Sequence, residues 1–271
     1  MLTPLSRAAR LAAPAAALGC GVIAMAGRAL PTALALALGL ACVAAWQFWR
    51  AALIDTDWAP LRARWRDWQT GEPLPRLPYT EAGSGAEALS VTGGKFRAFV
   101  SAVAWPQVGA LVAGAAAAFG LALLLAWALN PLALVLTVLA LFAPQLVLLA
   151  RGGRAARTLA ALDMGAVEIS LPFWLGIALS GGAAPTLVQL ALGVGVGVAW
   201  AGLRSGPWPL LWQGGTALGV ATLVAARHTV GAFLFTLCWL PQVIGGLGGV
   251  TRGAGRWLLL GLLVAAFAFQ I

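Results

Sequence analysis

The chain has 271 residues, of which 61% are hydrophobic and only 9% are charged, and its net charge is +9. Soluble domains carry roughly 25% charged residues, so this composition excludes an ordinary soluble protein. Several apolar runs reach the length of about 20 residues that a helix needs to cross a bilayer. We therefore predict an all-α, multi-pass membrane protein whose 271 residues form a single transmembrane domain. The positive charge is then expected on loops that face anionic lipid, with no nucleic-acid partner.

The apolar runs, separated by Gly, Pro and Arg, predict nine spans. The N-terminal run alone allows a second interpretation, because Arg7 and Arg10 before an alanine-rich stretch also resemble a signal peptide. We favour a retained first span, since the charge pattern below requires it. The predicted spans lie at about 9–27, 30–49, 98–128, 131–150, 159–179, 184–203, 208–226, 230–250 and 255–270.

The distribution of basic residues predicts the orientation. With nine spans and a cytoplasmic N-terminus, 15 of the 17 Lys and Arg residues lie on the inside, and only Arg28 and Arg227 lie outside. Cytoplasmic loops of membrane proteins carry such an excess of positive charge. We therefore expect the C-terminus outside, in the cytoplasmic membrane of a bacterium or an archaeon.

One long cytoplasmic loop, at about 50–97, is expected to carry the chemistry or a docking surface. The stretch from Trp46 to Arg97 contains six of the eight carboxylates and seven of the 17 basic residues. Within it, Trp58, Trp65 and Trp68 are spaced so that a helix would show all three on one face. That face could rest on lipid headgroups.

Asp55 and Asp57 follow the second predicted span directly. Two close carboxylates can share Mg²⁺, which accepts oxygen ligands and keeps coordination positions for a phosphate. Nearby arginines, among them Arg62 and Arg64, could bind a diphosphate. The alternative is a solvated loop start with compensating charges, and the spacing alone does not decide between them.

Asp163 and Glu168 fall within the fifth predicted span. A carboxylate at that depth is costly and usually faces a cavity or a partner, so we expect each to have one. The alternative for Glu168 is a protonated or hydrogen-bonded structural role. Because the two are five residues apart, they should not share a helix face or form one metal site alone.

The remaining polar and small residues indicate packing rather than chemistry. The cysteines have no metal spacing, the glycines suit close helix contacts, with a ligand cavity as the lesser possibility, and the single histidine belongs to a loop. These residues are Cys20, Cys42 and Cys238; Gly193, Gly195, Gly197, Gly245, Gly246, Gly248 and Gly249; and His228.

The layout resembles the UbiA-type intramembrane prenyltransferases. That family has nine transmembrane helices, an inside N-terminus and a long cytoplasmic loop after the second helix, which opens with a pattern like N-D-x-x-D-x-x-x-D. Here the corresponding residues 51–59 read AALIDTDWA, residues 130–133 read NPLA as the fourth helix begins, and a basic stretch spans Arg151 to Arg157.

The resemblance implies a function. In the family, two acidic motifs hold Mg²⁺ on an isoprenyl diphosphate, whose ionisation gives an allylic cation that a hydrophobic acceptor attacks. Carried over to this chain, Asp55 and Asp57 would bind the metal. Diphosphate would be bound by Arg50, Arg62, Arg64, Arg151 and Arg154.

The chain departs from the family pattern, and this leaves three functions open. Ala51, Ala52 and Ala59 replace ligands of the first motif, and no carboxylate occurs after Glu168, where the second motif would lie. Asp163 or Glu168 would have to supply what the second motif lacks in an enzyme. A non-catalytic relative would bind a lipid, quinone or pigment, or dock a partner through the loop. A small transporter is a weaker possibility, because no internal repeat is evident.

The charge distribution generates a topological prediction. A reporter fused after Ile271 should lie outside, and one inserted near Gly83 should lie inside, because an odd number of spans separates the two ends. Reporter activity or labelling on intact cells measures both positions. Finding both reporters on one side would contradict the odd span number and the UbiA-type layout together.

Overall fold

A computed structural model describes residues 4–25, 30–69, 71, 83–150, 153–180, 184–204, 209–247 and 253–270. Within these ranges the regular structure is helical, and three π-helical segments interrupt or extend the α-helices. The α-helices are α1 Pro4–Ile23, α2 Ala33–Arg50, α3 Ala59–Asp67, α4 Gly85–Phe99, α5 Trp105–Leu129, α6 Pro131–Leu149, α7 Gly153–Gly165, α8 Leu171–Leu179, α9 Leu187–Arg204, α10 Pro209–Ala225, α11 Thr229–Leu247 and α12 Ala254–Ala268. The π-helical segments are π1 Ala51–Asp55, π2 Val100–Ala104 and π3 Ala166–Ser170.

Five helical runs in the described ranges are long and apolar enough to cross a membrane, so the chain is consistent with an integral membrane protein. Four shorter apolar helices coincide with the other predicted spans, and the total of nine spans stays a prediction. The five long runs are Ala33–Asp55, Gly85–Leu129, Pro131–Leu149, Ala156–Leu179 and Leu187–Arg204. The four shorter ones are Leu11–Ile23, Leu210–Ala225, Thr229–Ile244 and Ala254–Ala268.

The third apolar run begins earlier than the predicted boundary near residue 98. Its helix starts at Gly85, where the Ser84 hydroxyl accepts a hydrogen bond from the Glu87 N–H group, and continues for 45 residues to Leu129. About 20 residues suffice to cross the hydrocarbon core, so the run is more than twice that length. Pro106 is accommodated by π2, in which the Trp105 N–H group bonds to the Val100 carbonyl.

The chain divides into two compact units, one of residues 1–53 and 118–271 and one of residues 54–117. The first unit has two clusters of buried apolar side chains, and α8 contributes to both. Phe173 and Ile177 belong to the cluster with α9–α12, whereas Leu171 and Leu175 belong to the cluster with α2, α5 and α6. The run from Ala156 to Leu179 is therefore enclosed by the bundle, and 78% of an apolar 18-residue stretch within it is buried.

Pro172 explains why this enclosed run contains a π-helical turn. A proline donates no hydrogen bond, and its ring collides with the carbonyl four residues earlier in a regular α-helix. In π3 the Leu171 N–H group bonds five residues back, to Ala166. The Leu171 N–H group would bond to the Val167 carbonyl in an α-helix and is therefore no longer available to it. In a π-helix the donor would be the N–H group of residue 172, which proline lacks. Gln47 of α2 replaces both, because its Nε2 lies 3.0 Å from the Val167 oxygen.

Glycines in the first unit allow helix backbones to approach closely. A Cβ atom on Gly165 of α7 would overlap the Gly197 carbonyl of α9, and one on Gly195 would lie 2.9 Å from the Gly215 carbonyl of α10. Membrane helices associate through such contacts because lipid provides no hydrophobic drive between them. The packing role predicted for the cluster at 193–197 is confirmed. Side chains at 245–249 lie outside the described residues.

The three cysteines agree with the prediction of packing residues. All are buried and free, and none forms a disulfide. The Cys42 sulfur lies 3.4 Å from the Thr137 hydroxyl oxygen of α6. This contact places a small polarisable group between α2 and α6.

The bond between Gln47 and Val167 generates a stability prediction. Gln47→Leu should lower the free energy of unfolding by about 1–3 kcal/mol, because a buried carbonyl loses its donor. In a Pro172→Ala background the same change should cost less, since residue 172 then supplies an N–H group. Denaturant unfolding in detergent micelles measures both effects.

The matched control is Gln213→Leu on α10, whose side chain is exposed. It should leave stability within about 0.5 kcal/mol of wild type. An equal cost of Gln47→Leu with and without Pro172 would show that the Val167 carbonyl is not the group that Gln47 serves.

Candidate functional site

The most buried charges described in the first unit form an ion pair between α2 and α7. Arg50 Nε lies 2.8 Å from Asp163 Oδ2, and the two side chains are 7% and 2% exposed. Arg50 is the last residue of α2, directly before π1 turns towards the predicted loop. The expectation that Asp163 has a polar partner is confirmed. Arg50 was also predicted to bind diphosphate, which stays a prediction, and its guanidinium is paired with Asp163 inside the protein.

Glu168 lies in π3 and is also buried, at 8% exposed. Its Oε2 accepts a hydrogen bond of 2.7 Å from Trp200 Nε1 on α9. Arg204, one turn further along α9, lies with its guanidinium carbon 5.7 Å from the centre of the Trp200 ring. Trp200 thus stands between a carboxylate and a cation. This bond is the hydrogen-bonded structural role that was the alternative for Glu168, and a part in ligand binding stays a prediction.

Trp200 is a residue that the sequence analysis did not single out. A signal was present, since Trp200 and Arg204 are four residues apart and therefore neighbours on a helix face. Nothing in the sequence linked that pair to Glu168. Glu168 and Trp200 are 32 residues apart, and α8 lies between them in the chain.

The two buried carboxylates belong to different contacts, as their spacing predicted. Asp163 bonds to α2 and Glu168 bonds to α9. Two residues after Glu168, the Ser170 hydroxyl donates to the Gly193 carbonyl at 2.9 Å, which adds a second bond between the central run and α9. These bonds tie α2 and α9 to the central run formed by α7 and π3.

The acidic pair predicted to bind Mg²⁺ lies in the second unit. Asp55 ends π1, and both Asp55 and Asp57 are exposed. One oxygen of Asp57, Oδ1, accepts a hydrogen bond of 2.9 Å from the Ala59 N–H group at the start of α3. Within the described ranges, no three His, Cys, Asp or Glu side chains are close enough together to hold a metal ion.

The predicted diphosphate ligands lie in three different settings. Arg62 and Arg64 are exposed on α3, in the same unit as Asp55 and Asp57. Arg151 lies outside the described residues, and so does the side chain of Arg154, although its backbone belongs to α7. Arg50 is paired inside the first unit.

The tryptophans of the loop do not form the single exposed face that their spacing predicted. Helix α3 begins after Trp58 and ends before Trp68, so only Trp65 lies within it. The rings of Trp65 and Trp68 lie 5.2 and 5.8 Å from the ring of Phe99 on α4. Lys95 Nζ lies 5.0 Å from the Trp65 ring centre. These aromatic contacts form a small core for the second unit.

No family model, no curated protein and no solved structure matches this chain.

The buried ion pair generates the sharpest stability prediction of this site. Asp163→Leu should lower the free energy of unfolding by about 3–5 kcal/mol, because it leaves the Arg50 guanidinium buried without its carboxylate. The double variant Arg50→Met/Asp163→Leu should recover most of that loss, since neither charge then remains. Thermal or denaturant unfolding in detergent measures the difference.

Arg157→Met is the matched control, because Arg157 lies on α7 but is exposed. It should change stability by no more than about 0.5 kcal/mol. A double variant as unstable as Asp163→Leu alone would show that the ion pair does not account for the effect.

Proposed function

We propose that this chain is a UbiA-type integral membrane protein that transfers an isoprenyl group from an isoprenyl diphosphate to a hydrophobic acceptor. The observation that carries the proposal is an exposed acidic pair, Asp55 and Asp57, where the second predicted span ends, with exposed Arg62 and Arg64 on the next helix. All four residues lie in one compact unit. Carboxylates for a cation and guanidinium groups for phosphate are the two components that diphosphate binding needs.

The acidic pair suits Mg²⁺, which is commonly bound by one or two carboxylates together with substrate phosphates. Asp55 also ends a helix, where the partial negative charge of the backbone favours a cation. Bound there, Mg²⁺ would neutralise the developing charge of the leaving diphosphate. Arg62 and Arg64 would hold the phosphate oxygens while the allylic C–O bond breaks and its electron pair leaves with diphosphate. The acceptor would then form the new bond to carbon and lose a proton.

A second candidate is a non-catalytic relative that binds a lipid, quinone or pigment, or docks a partner through the loop. The observation that favours it concerns Asp163 and Glu168, which an enzyme would need in place of a second acidic motif. Both are buried and engaged with other side chains, Asp163 with Arg50 and Glu168 with Trp200. Groups held in this way are suited to fixing helices rather than to binding a metal.

Release of diphosphate separates the two functions. Purified protein incubated with isoprenyl diphosphates of several lengths should release diphosphate only when Mg²⁺ is present. Asp57→Asn keeps an oxygen for the Ala59 N–H group but removes the charge, so it should lower activity at least about tenfold without unfolding α3. Additional Mg²⁺ should restore part of the activity, whereas Arg62→Gln should raise the substrate requirement without rescue by metal.

Asp67→Asn is the matched control, since Asp67 is exposed at the end of the same helix and lies outside the proposed ligand set. It should retain wild-type activity. Full release of diphosphate by an Asp55→Ala/Asp57→Ala variant would eliminate this catalytic site. If the loop is instead a docking surface, these variants should weaken only the association with a partner. Added salt should weaken that association too, because exposed charges are screened over about 10 Å at 0.1 M.

A further inference from the structure

A pocket of ≈ 570 Å³ lies where α10 passes into α11 and where α11 meets α12. It is one helix length along α10 from the connection after Arg204, about 25 Å at 1.5 Å per residue. Three kinds of residue line it: the turn itself, the first turn of α11, and apolar side chains further along α11 and α12. Neither the ion pair nor the acidic pair contributes to it.

Arg227 occupies a backbone position in this turn that glycine normally fills. Its φ angle is +64°, and no other non-glycine residue in the described ranges has a positive φ. The His228 N–H group bonds to the Leu223 carbonyl and the Arg227 N–H group bonds to the Val224 carbonyl, each at 2.9 Å. This is the Schellman arrangement that ends a helix, with the left-handed residue directly after the cap. An arginine there adopts a strained backbone conformation that glycine would adopt without strain.

One of the residues that line the pocket is positively charged. Arg227 is exposed and lines it together with His228, whose ring is held edge-on against Phe269 at 4.9 Å. The residues that line the pocket include no carboxylate, and the sequence contains none after Glu168. Among the described residues that line this pocket, no Asp or Glu side chain therefore competes with an anionic group for Arg227.

The rest of the pocket is apolar. Leu234 of α11 and Val264 and Phe267 of α12 line its wall, and Leu234 and Phe267 are exposed. At Gly231 the two helices approach closely, since a Cβ atom there would overlap the Ala268 methyl group. A cation at one end and a hydrocarbon wall along the other end match a molecule with an anionic head and an apolar tail.

We propose that this pocket binds one anionic phospholipid, with its phosphate at Arg227 and an acyl chain along Leu234, Val264 and Phe267. The site is separate from the proposed diphosphate site and does not depend on prenyl transfer. The left-handed arginine fits this role, because strained backbone positions are retained where a side chain has to meet a ligand.

Native mass spectrometry of the detergent-purified protein tests the proposal, with phosphatidylglycerol and phosphatidylcholine of identical chains as probes. Wild-type protein should retain phosphatidylglycerol preferentially. Arg227→Gly should bind it about tenfold more weakly, the factor expected for one lost charge-assisted contact. The same variant should unfold at an equal or higher temperature than wild type, because glycine suits the left-handed position. Loss of binding together with retained stability separates ligand contact from folding.

Two further variants complete the test. Arg256→Gln, exposed near the start of α12, should bind phosphatidylglycerol as wild type does. Val264→Trp should fill the apolar wall and reduce retention while Arg227 is still present. Equal phosphatidylglycerol affinity in wild type and Arg227→Gly would overturn the proposal, and so would equal retention of phosphatidylcholine. Displacement by glycerol phosphate at the concentration at which the intact lipid binds would also overturn it, in favour of a site for a free anion.

Discussion

Pro172 imposes the constraint on which the centre of the bundle depends. It lies in the most enclosed of the long apolar runs, where a carbonyl without a donor would be costly because neither water nor lipid can replace it. The π-helical turn moves the Leu171 N–H group to Ala166 and avoids the collision with the proline ring. The Val167 carbonyl is then served by Gln47 from α2. A local backbone problem in one helix is thus solved by a side chain of another, which fixes the register of the two.

The same enclosed run contains bonds that fix other helices. Arg50 and Asp163 join α2 to α7, and Glu168 and Trp200 join π3 to α9. Apolar burial does not draw helices together in a membrane, so specificity has to come from close backbone contacts and polar bonds. Glycines such as Gly165 provide the first, and these paired side chains provide the second. Because a buried ion pair has a large desolvation cost, its value here is in specifying one arrangement rather than in adding net stability.

Composition and periodicity predicted the helical membrane class, and the approximate position of each apolar helix, because bilayer thickness imposes a simple pattern on sequence. They also predicted that Asp163 and Glu168 need partners. They did not predict which partners, since Gln47, Arg50 and Trp200 are distant in sequence and their contacts depend on how helices cross. The loop tryptophans were mispredicted for a related reason. Spacing describes a continuous helix, whereas α3 ends at Asp67 and Trp68 packs on Phe99.

The distribution of carboxylates limits where ligand chemistry can occur. Six of the eight lie between Trp46 and Arg97, so Asp163 and Glu168 are the only acids elsewhere in the sequence. Asp163 is balanced by Arg50, and Glu168 bonds to an indole that also contacts the Arg204 guanidinium. The buried carboxylates are therefore engaged with protein groups that would have to be displaced before they could bind a cation. Exposed charged side chains are better suited to binding charged ligands. The second unit has exposed carboxylates and exposed arginines, whereas the pocket at Arg227 has an exposed arginine and no Asp or Glu among its lining residues. For that reason, a metal–diphosphate complex and a bare anionic headgroup are expected at different places on this protein.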